Sequence, residues 1–203
     1  MHDLNEVARP LVADLIGADP DEIALTGNSS DGINIVAHGL GFRTGDEVII
    51  SDQEHPAVFV PWLHLAQRGK VKVRVLKLDN DPGKTMANLR EILGPQTVAV
   101  CVSHVSSMTG LILPVKEICE LAHQVGAAVC LDGAQATGQL PLDVREIGCD
   151  FYALNGHKWL LGPVGTGALY VRHEAFDRLV PYASGGGSVL SYGYPASDRL
   201  DWR

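Results

Sequence analysis

Apolar positions follow two rhythms along this chain. Leu4 to Ile16 repeats at helical spacing, and Pro56 to Arg68, Thr85 to Leu93 and Pro114 to Val125 read as further helical segments. Between them lie short, almost unbroken apolar runs: Glu47 to Ile50, Val71 to Leu76, Thr97 to Val102, Ala127 to Leu131, Phe151 to Leu154 and Gly167 to Val171. Ile23-Ala24-Leu25 adds a short strand, followed by the polar turn Thr26 to Ser30 and a helix from about Asp31 to His38. Strands that are apolar on both faces belong to a parallel sheet covered by helices on each side, so the pattern predicts an α/β fold.

In such sheets ligands bind beyond the carboxyl ends of the strands. Ser29, His55, His104, Asp132 and His157 each follow an apolar run within a few residues, which places them at that edge. The pattern stops near Ala183: residues 184–203, beginning Ser184-Gly185-Gly186-Gly187-Ser188, show neither period and read as an irregular tail after a domain spanning 1–183.

Composition narrows the function. The 203 residues, 46% hydrophobic, suffice for one domain with a real core. A net charge of −8 opposes a nucleic-acid or anionic-membrane surface, because both require clustered Lys and Arg. Cys101, Cys119, Cys130 and Cys149 are widely spaced and mostly sit in apolar runs, as reduced core residues of a cytoplasmic protein would. Eight histidines and four cysteines show no metal-ligand spacing, and no Gly-x-Gly-x-x-Gly, Walker loop or His-Glu-x-x-His occurs. No apolar run approaches the length of about 20 residues that spans a membrane.

The candidate chemistry centres on Lys158 in Asn155-Gly156-His157-Lys158-Trp159. A lysine amine condenses with an aldehyde cofactor to give a Schiff base; a lysine at a loop start is equally an ordinary surface residue. Asp132 ends a strand, where it can pair with a protonated pyridine nitrogen or cap a helix. Gln135, three residues on, offers an amide to a phenolic oxygen. Asn28-Ser29-Ser30 opens a helix, whose free N–H groups suit a phosphate as well as an N-cap. His157 can add a ring N–H to that phosphate, His55 can lie on a cofactor ring, and His104 to Gly110 forms a polar loop that faces the site or turns the chain.

Leu131-Asp132-Gly133-Ala134-Gln135-Ala136 and Asn155-Gly156-His157-Lys158-Trp159-Leu160-Leu161-Gly162-Pro163-Val164-Gly165-Thr166-Gly167, in this order, resemble the class-V aminotransferase family of pyridoxal-phosphate enzymes. That superfamily includes cysteine desulfurases, selenocysteine lyases and isopenicillin N epimerase-like proteins. The resemblance runs from about Leu4 to Arg172 and takes in Thr26 to Val36 and Glu54-His55. It implies a three-layer, mostly parallel fold-type I large domain, with no counterpart here of the small C-terminal domain.

The resemblance also implies roles. Lys158 becomes the Schiff-base lysine, Asp132 the pyridinium partner, Gln135 the ligand of the phenolic oxygen and His55 the ring-stacking residue. Ser29, Ser30 and His157 become phosphate ligands. Asn155 stands where desulfurases carry Ser or Thr at a phosphate contact, and Ser107 where they carry a loop Asn. His104 to Gly110 looks more like the epimerase and carbon–sulfur lyase branches. The implied function is action on an amino acid as a carbon–sulfur lyase or epimerase. The alternatives are a cysteine desulfurase that takes its cysteine from outside this chain, and an incomplete or non-catalytic cofactor-binding domain. A homodimer, with a complementary chain as a further possible partner, is the implied assembly. Arg199 and Arg203 near the terminus match no motif.

Overall fold

A computed structural model describes residues 4–185, 189–192 and 200–202. Six α-helices occur among them: α1 (Leu4–Ile16), α2 (Ser29–Gly39), α3 (Pro56–Gln67), α4 (Pro82–Ile92), α5 (Val115–Gln124) and α6 (Val144–Ile147). The strands are β1 (Ile23–Thr26), β2 (Glu47–Ser51), β3 (Lys72–Leu76), β4 (Thr97–Ser103), β5 (Ala128–Asp132), β6 (Phe151–Asn155), β7 (Gly167–Val171), β8 (Val189–Tyr192) and β9 (Leu200–Trp202).

Seven strands form one sheet in the order β1-β7-β6-β5-β4-β2-β3. Strands β2 to β6 run parallel, and β7 runs against both β6 and β1. Alternate residues of the central strands feed two cores. Val100, Val102, Val129 and Leu131 face α1, α4 and α5 through Ile16, Leu89 and Ile118. Ala99, Cys101, Ala128 and Cys130 face α2 and α3 through Ile33, Val36, Val58 and Trp62. This is the three-layer architecture implied by the continuous apolar strands.

The element ends carry the differences from the pattern. Strands β2, β4, β5 and β6 each extend one residue further than their apolar runs, to Ser51, Ser103, Asp132 and Asn155. Each of those polar side chains therefore projects from a strand held in register rather than from a loop. Helix α2 begins at Ser29, not Asp31, because the Asn28 side chain accepts from the Asp31 N–H 3.0 Å away. Helix α4 begins at Pro82 rather than Thr85, capped by Asp81 with proline in the first turn.

Helix α6 is missing from the apolar pattern because a single turn, capped by Asp143 and ended by Gly148 at φ 79°, is too short to show a period. The tail is also not wholly irregular: β8 and β9 pair antiparallel, Val189 opposite Trp202 and Tyr192 opposite Leu200. Strands of three and four residues likewise leave no period. Arg199 and Arg203 lie outside the described residues.

Candidate active site

The order of the parallel strands sets where the polar ends converge. From β2 the chain crosses to β3 on one side, whereas β4, β5 and β6 progress the other way, so the connections diverge between β2 and β4. That divergence usually opens a ligand crevice. Here Glu54 fills it: its carboxylate accepts from Ser51 Oγ at 2.5 Å, from Ser103 Oγ at 2.5 Å and from the Ser103 N–H at 3.0 and 3.1 Å.

The open cavity is displaced toward β5 and β6. It measures about 390 Å³ and is lined by Asn28, Ser29, Ser30, Asp31, His55, Ala57, Asp132, Asn155, His157 and Lys158. Six of the nine residues assigned from the resemblance thus share one cavity wall with Asn155, a seventh.

Asp132 closes β5 and is 4% exposed. One oxygen accepts from the Ala134 N–H at 3.0 Å. Burial pushes the carboxyl above its ordinary range, while the Ala134 N–H, the nearby charges of Lys158 and His55, and the Ser29 hydroxyl pull it down. A buried acid with cations near it and no full ion pair is suited to a cationic ligand. The turn after it depends on Gly133, where a Cβ would lie 2.0 Å from the Tyr152 ring. Tyr152 is buried on β6, its hydroxyl 3.0 Å from His104 Nδ1. Burial pushes the His104 imidazole down to about 4, so it is neutral at pH 7.

The opposite side of the cavity is built on the start of α2. Gly167 at the head of β7 lets that strand pass beneath the helix start, since a Cβ there would fall 2.7 Å from Asn28 Cα. Ser29 and Asn155 bind each other: the Ser29 N–H donates to Asn155 Oδ1 at 2.8 Å, and Asn155 Nδ2 donates to Ser29 Oγ at 3.0 Å. Both residues are buried, fix the helix start to β6 and line the cavity. Ser30 and His157 stand in the cavity wall. His157 Nδ1 is buried and has no hydrogen-bond partner, one of two such side-chain atoms among the described residues. An orphaned ring nitrogen beside a helix N-terminus fits an anion.

His55 caps α3, its Nδ1 accepting from the Ala57 N–H at 3.1 Å, and its exposed ring lines the cavity. Lys158 sits behind a tight loop in which the Leu161 N–H donates to the Lys158 carbonyl at 3.1 Å and the Gly162 N–H to the Gly156 carbonyl at 2.8 Å. Leu161 is held there at φ 57°, a left-handed backbone that a branched residue rarely adopts.

Gln135 and Ser107 are the two assigned residues that do not line this cavity. They border a neighbouring groove with Ile112, Leu140 and Trp159, and Gln135 Oε1 accepts from Trp159 Nε1 at 2.9 Å. Sequence reasoning gave no task to Glu54 or Tyr152. The signal for Glu54 was the acid set between strand-end serines, but only the strand order shows which serines it meets.

The donor set fits pyridoxal phosphate: an amine at Lys158, an acid at Asp132, anion ligands at Ser30 and His157 beside a helix start, and a flat ring at His55. The comparisons with known proteins agree. The aminotransferase class-V family profile matches residues 1–199. A probable cysteine desulfurase of Methanothermobacter thermautotrophicus is 47% identical over 187 residues, covering 90% of this chain and 46% of that protein. The isopenicillin N epimerase of Streptomyces clavuligerus is 40% identical over 177 residues, covering 86% of this chain and 44% of the epimerase. Among solved structures, the cystine C-S lyase C-DES in complex with cysteine persulfide superposes with a TM-score of 0.86 at 33% identity, covering 96% of this chain and 52% of that one. The chain spans about half the length of the relatives it matches. It belongs to the aminotransferase class-V family, whose cofactor is pyridoxal phosphate.

Proposed function

We propose that this chain forms the cofactor-binding part of a pyridoxal-phosphate enzyme that cleaves a carbon–sulfur bond in a cysteine-like amino acid. The observation that carries the reading is the single cavity shared by Lys158, Asp132, His55, His157 and Ser30. When bound, the cofactor supplies an electron sink conjugated to the substrate Cα. Lys158 would be the group that binds the cofactor's aldehyde, and its free amine would accept the proton leaving the substrate Cα. Asp132 keeps a proton on the ring nitrogen, which its burial among dipoles makes strong. Ser30, His157 and the start of α2 would hold the phosphate, and the His55 ring would shield the bound ring from water.

Elimination of a β-thiolate needs no protein nucleophile, whereas a desulfurase requires a cysteine thiolate. Cys101, Cys119, Cys130 and Cys149 are all buried, and burial pushes the Cys119 thiol up to about 12. Lyase chemistry is therefore the reading this chain supports with its own groups, in a homodimer as the family resemblance implies and in the cytoplasm as the buried, reduced cysteines favour. No helix among the described residues is long and apolar enough to cross a membrane.

Reconstitution with pyridoxal phosphate tests the reading. A visible band removed by borohydride and absent in Lys158→Ala is expected; wild-type protein without a band overturns it. Release of pyruvate and ammonia together with sulfide from cysteine, or with cysteine persulfide from cystine, supports the lyase. Alanine with sulfide would indicate a desulfurase, and solvent deuterium at Cα without cleavage an epimerase. Cofactor binding with none of these products would mean that the chain acts only with a complementary polypeptide.

A further inference from the structure

Glu54 lies outside the cofactor cavity and takes no part in the chemistry above, yet it is the most heavily bonded acid at this edge. It is 6% exposed. Its carboxylate joins Ser51, the last residue of β2, to Ser103, the last residue of β4. Ser103 stands beside Asp132 in the register of β4 and β5. The next residue after Glu54 is His55, which caps α3 through its own ring nitrogen. One buried carboxylate thus fastens two strand ends and the backbone from which His55 reaches the cavity.

We propose that Glu54 is a positioning residue: by closing the β2–β4 crevice it fixes His55 at the distance from which its ring covers the cofactor. This rests on the pyridoxal-phosphate reading of the cavity. Three donors converge on two acceptor oxygens, an arrangement that suits a carboxylate. An amide keeps one acceptor oxygen for the Ser103 N–H and one hydroxyl, and its NH₂ has to take the other serine Oγ as an acceptor, so Glu54→Gln keeps the volume and weakens the clasp. The loop from Asp52 to His55 then keeps its bonds from Asp52 to Leu78 and from Gln53 to Ser106 and Thr109 but loosens at the residue next to His55, while the cavity residues stay intact.

Two readouts test this apart from activity: affinity for pyridoxal phosphate by absorbance titration, and induced circular dichroism of the visible band, which reports ring orientation. Asp150→Asn is the control, since it removes a buried carboxylate bonded to the Val129 N–H and His123 at the opposite end of the sheet. Glu54→Gln should weaken cofactor binding about tenfold and reduce the dichroism. Asp150→Asn should change neither. Because Glu54 acts through His55, His55→Ala and the double variant His55→Ala with Glu54→Gln should bind cofactor equally.

Wild-type affinity and dichroism in Glu54→Gln would overturn the proposal. So would a further loss of affinity in the double variant, or equal losses in the Asp150 control. Absence of a band in wild-type protein would overturn the pyridoxal-phosphate reading itself, a distinguishable result.

Discussion

Apart from the clasped Glu54, the buried acids at the two ends of one sheet are held in different ways. At the amino-terminal end, Asp150 accepts from the Val129 N–H at 2.7 Å and lies 2.8 Å from His123 Nε2. Glu22 accepts from the Asp19 and His173 N–H groups and lies 3.6 Å from Arg145. A cavity of about 370 Å³ opens there too, but Arg145 and Arg172 on its wall are already paired with Asp19 and Glu174. At the carboxyl-terminal end, Asp132 accepts from the Ala134 N–H and the Ser29 hydroxyl, is raised by burial and makes no ion pair among the described residues, and His157 Nδ1 has no partner. Unfinished hydrogen bonding, rather than cavity size, distinguishes the site from the support: a buried polar group without a partner costs stability unless a ligand completes it.

The sharpest way to break this contrast is to remove one acid at a time. Asp132→Asn should weaken pyridoxal-phosphate binding about 100-fold, with the apoprotein melting no lower than wild type, because a strained buried charge is removed. Asp150→Asn should do the reverse: unchanged cofactor affinity, and a loss of about 1–3 kcal/mol in denaturant unfolding, because the Val129 N–H and His123 lose a charged acceptor. Matching behaviour of the two variants would dissolve the distinction.

Gly133→Ala should cost about 3 kcal/mol and lower the melting temperature by roughly 6–12 °C, since the new methyl meets the Tyr152 ring beneath the Asp132 turn. Differential scanning calorimetry of the apoprotein measures it. Acid is expected to act next. His104 titrates near 4 in the folded chain against an ordinary 6.5, so its contribution is complete above 6.5 and is lost as pH falls through about 4. The loss approaches about 3 kcal/mol. Glu54 and Asp132, raised by burial, act with the opposite sign: their contribution is present in acid and is lost as pH rises through their folded values. Urea midpoints measured from pH 7 to pH 4 in wild type and His104→Gln isolate the histidine: wild type should lose up to about 3 kcal/mol more than the variant over that range.

The smallest expected effect is at Gln135. Its amide oxygen is turned to Trp159 in the neighbouring groove, so Gln135→Ala should change cofactor affinity by no more than about twofold. A loss as large as that of Asp132→Asn would show that binding redirects this side chain.

Much of the site was readable because its residues sit at strand ends, and strand ends are visible as the places where apolar runs stop. Lys158, His157, Asp132, His55 and Ser30 share a cavity wall as their order along the chain implied. Ser29 and Asn155 were readable as neighbours of the site but not as partners of each other, because they are 126 residues apart and meet only where α2 packs against β6. The short elements α6, β8 and β9 were missed because three or four residues carry no measurable period.

By itself the sequence determined the layers and the edge of chemistry: continuous apolar strands can only be buried on both faces, and the polar residues following them must gather at one rim. What tertiary structure alone decided is which of those polar residues remain available. Hydrogen-bond partners distant in sequence are chosen by strand order and register, so packing committed Glu54 to Ser51 and Ser103 and Asn155 to Ser29, while leaving His157 Nδ1 without a partner and Asp132 buried without an ion pair at the cavity.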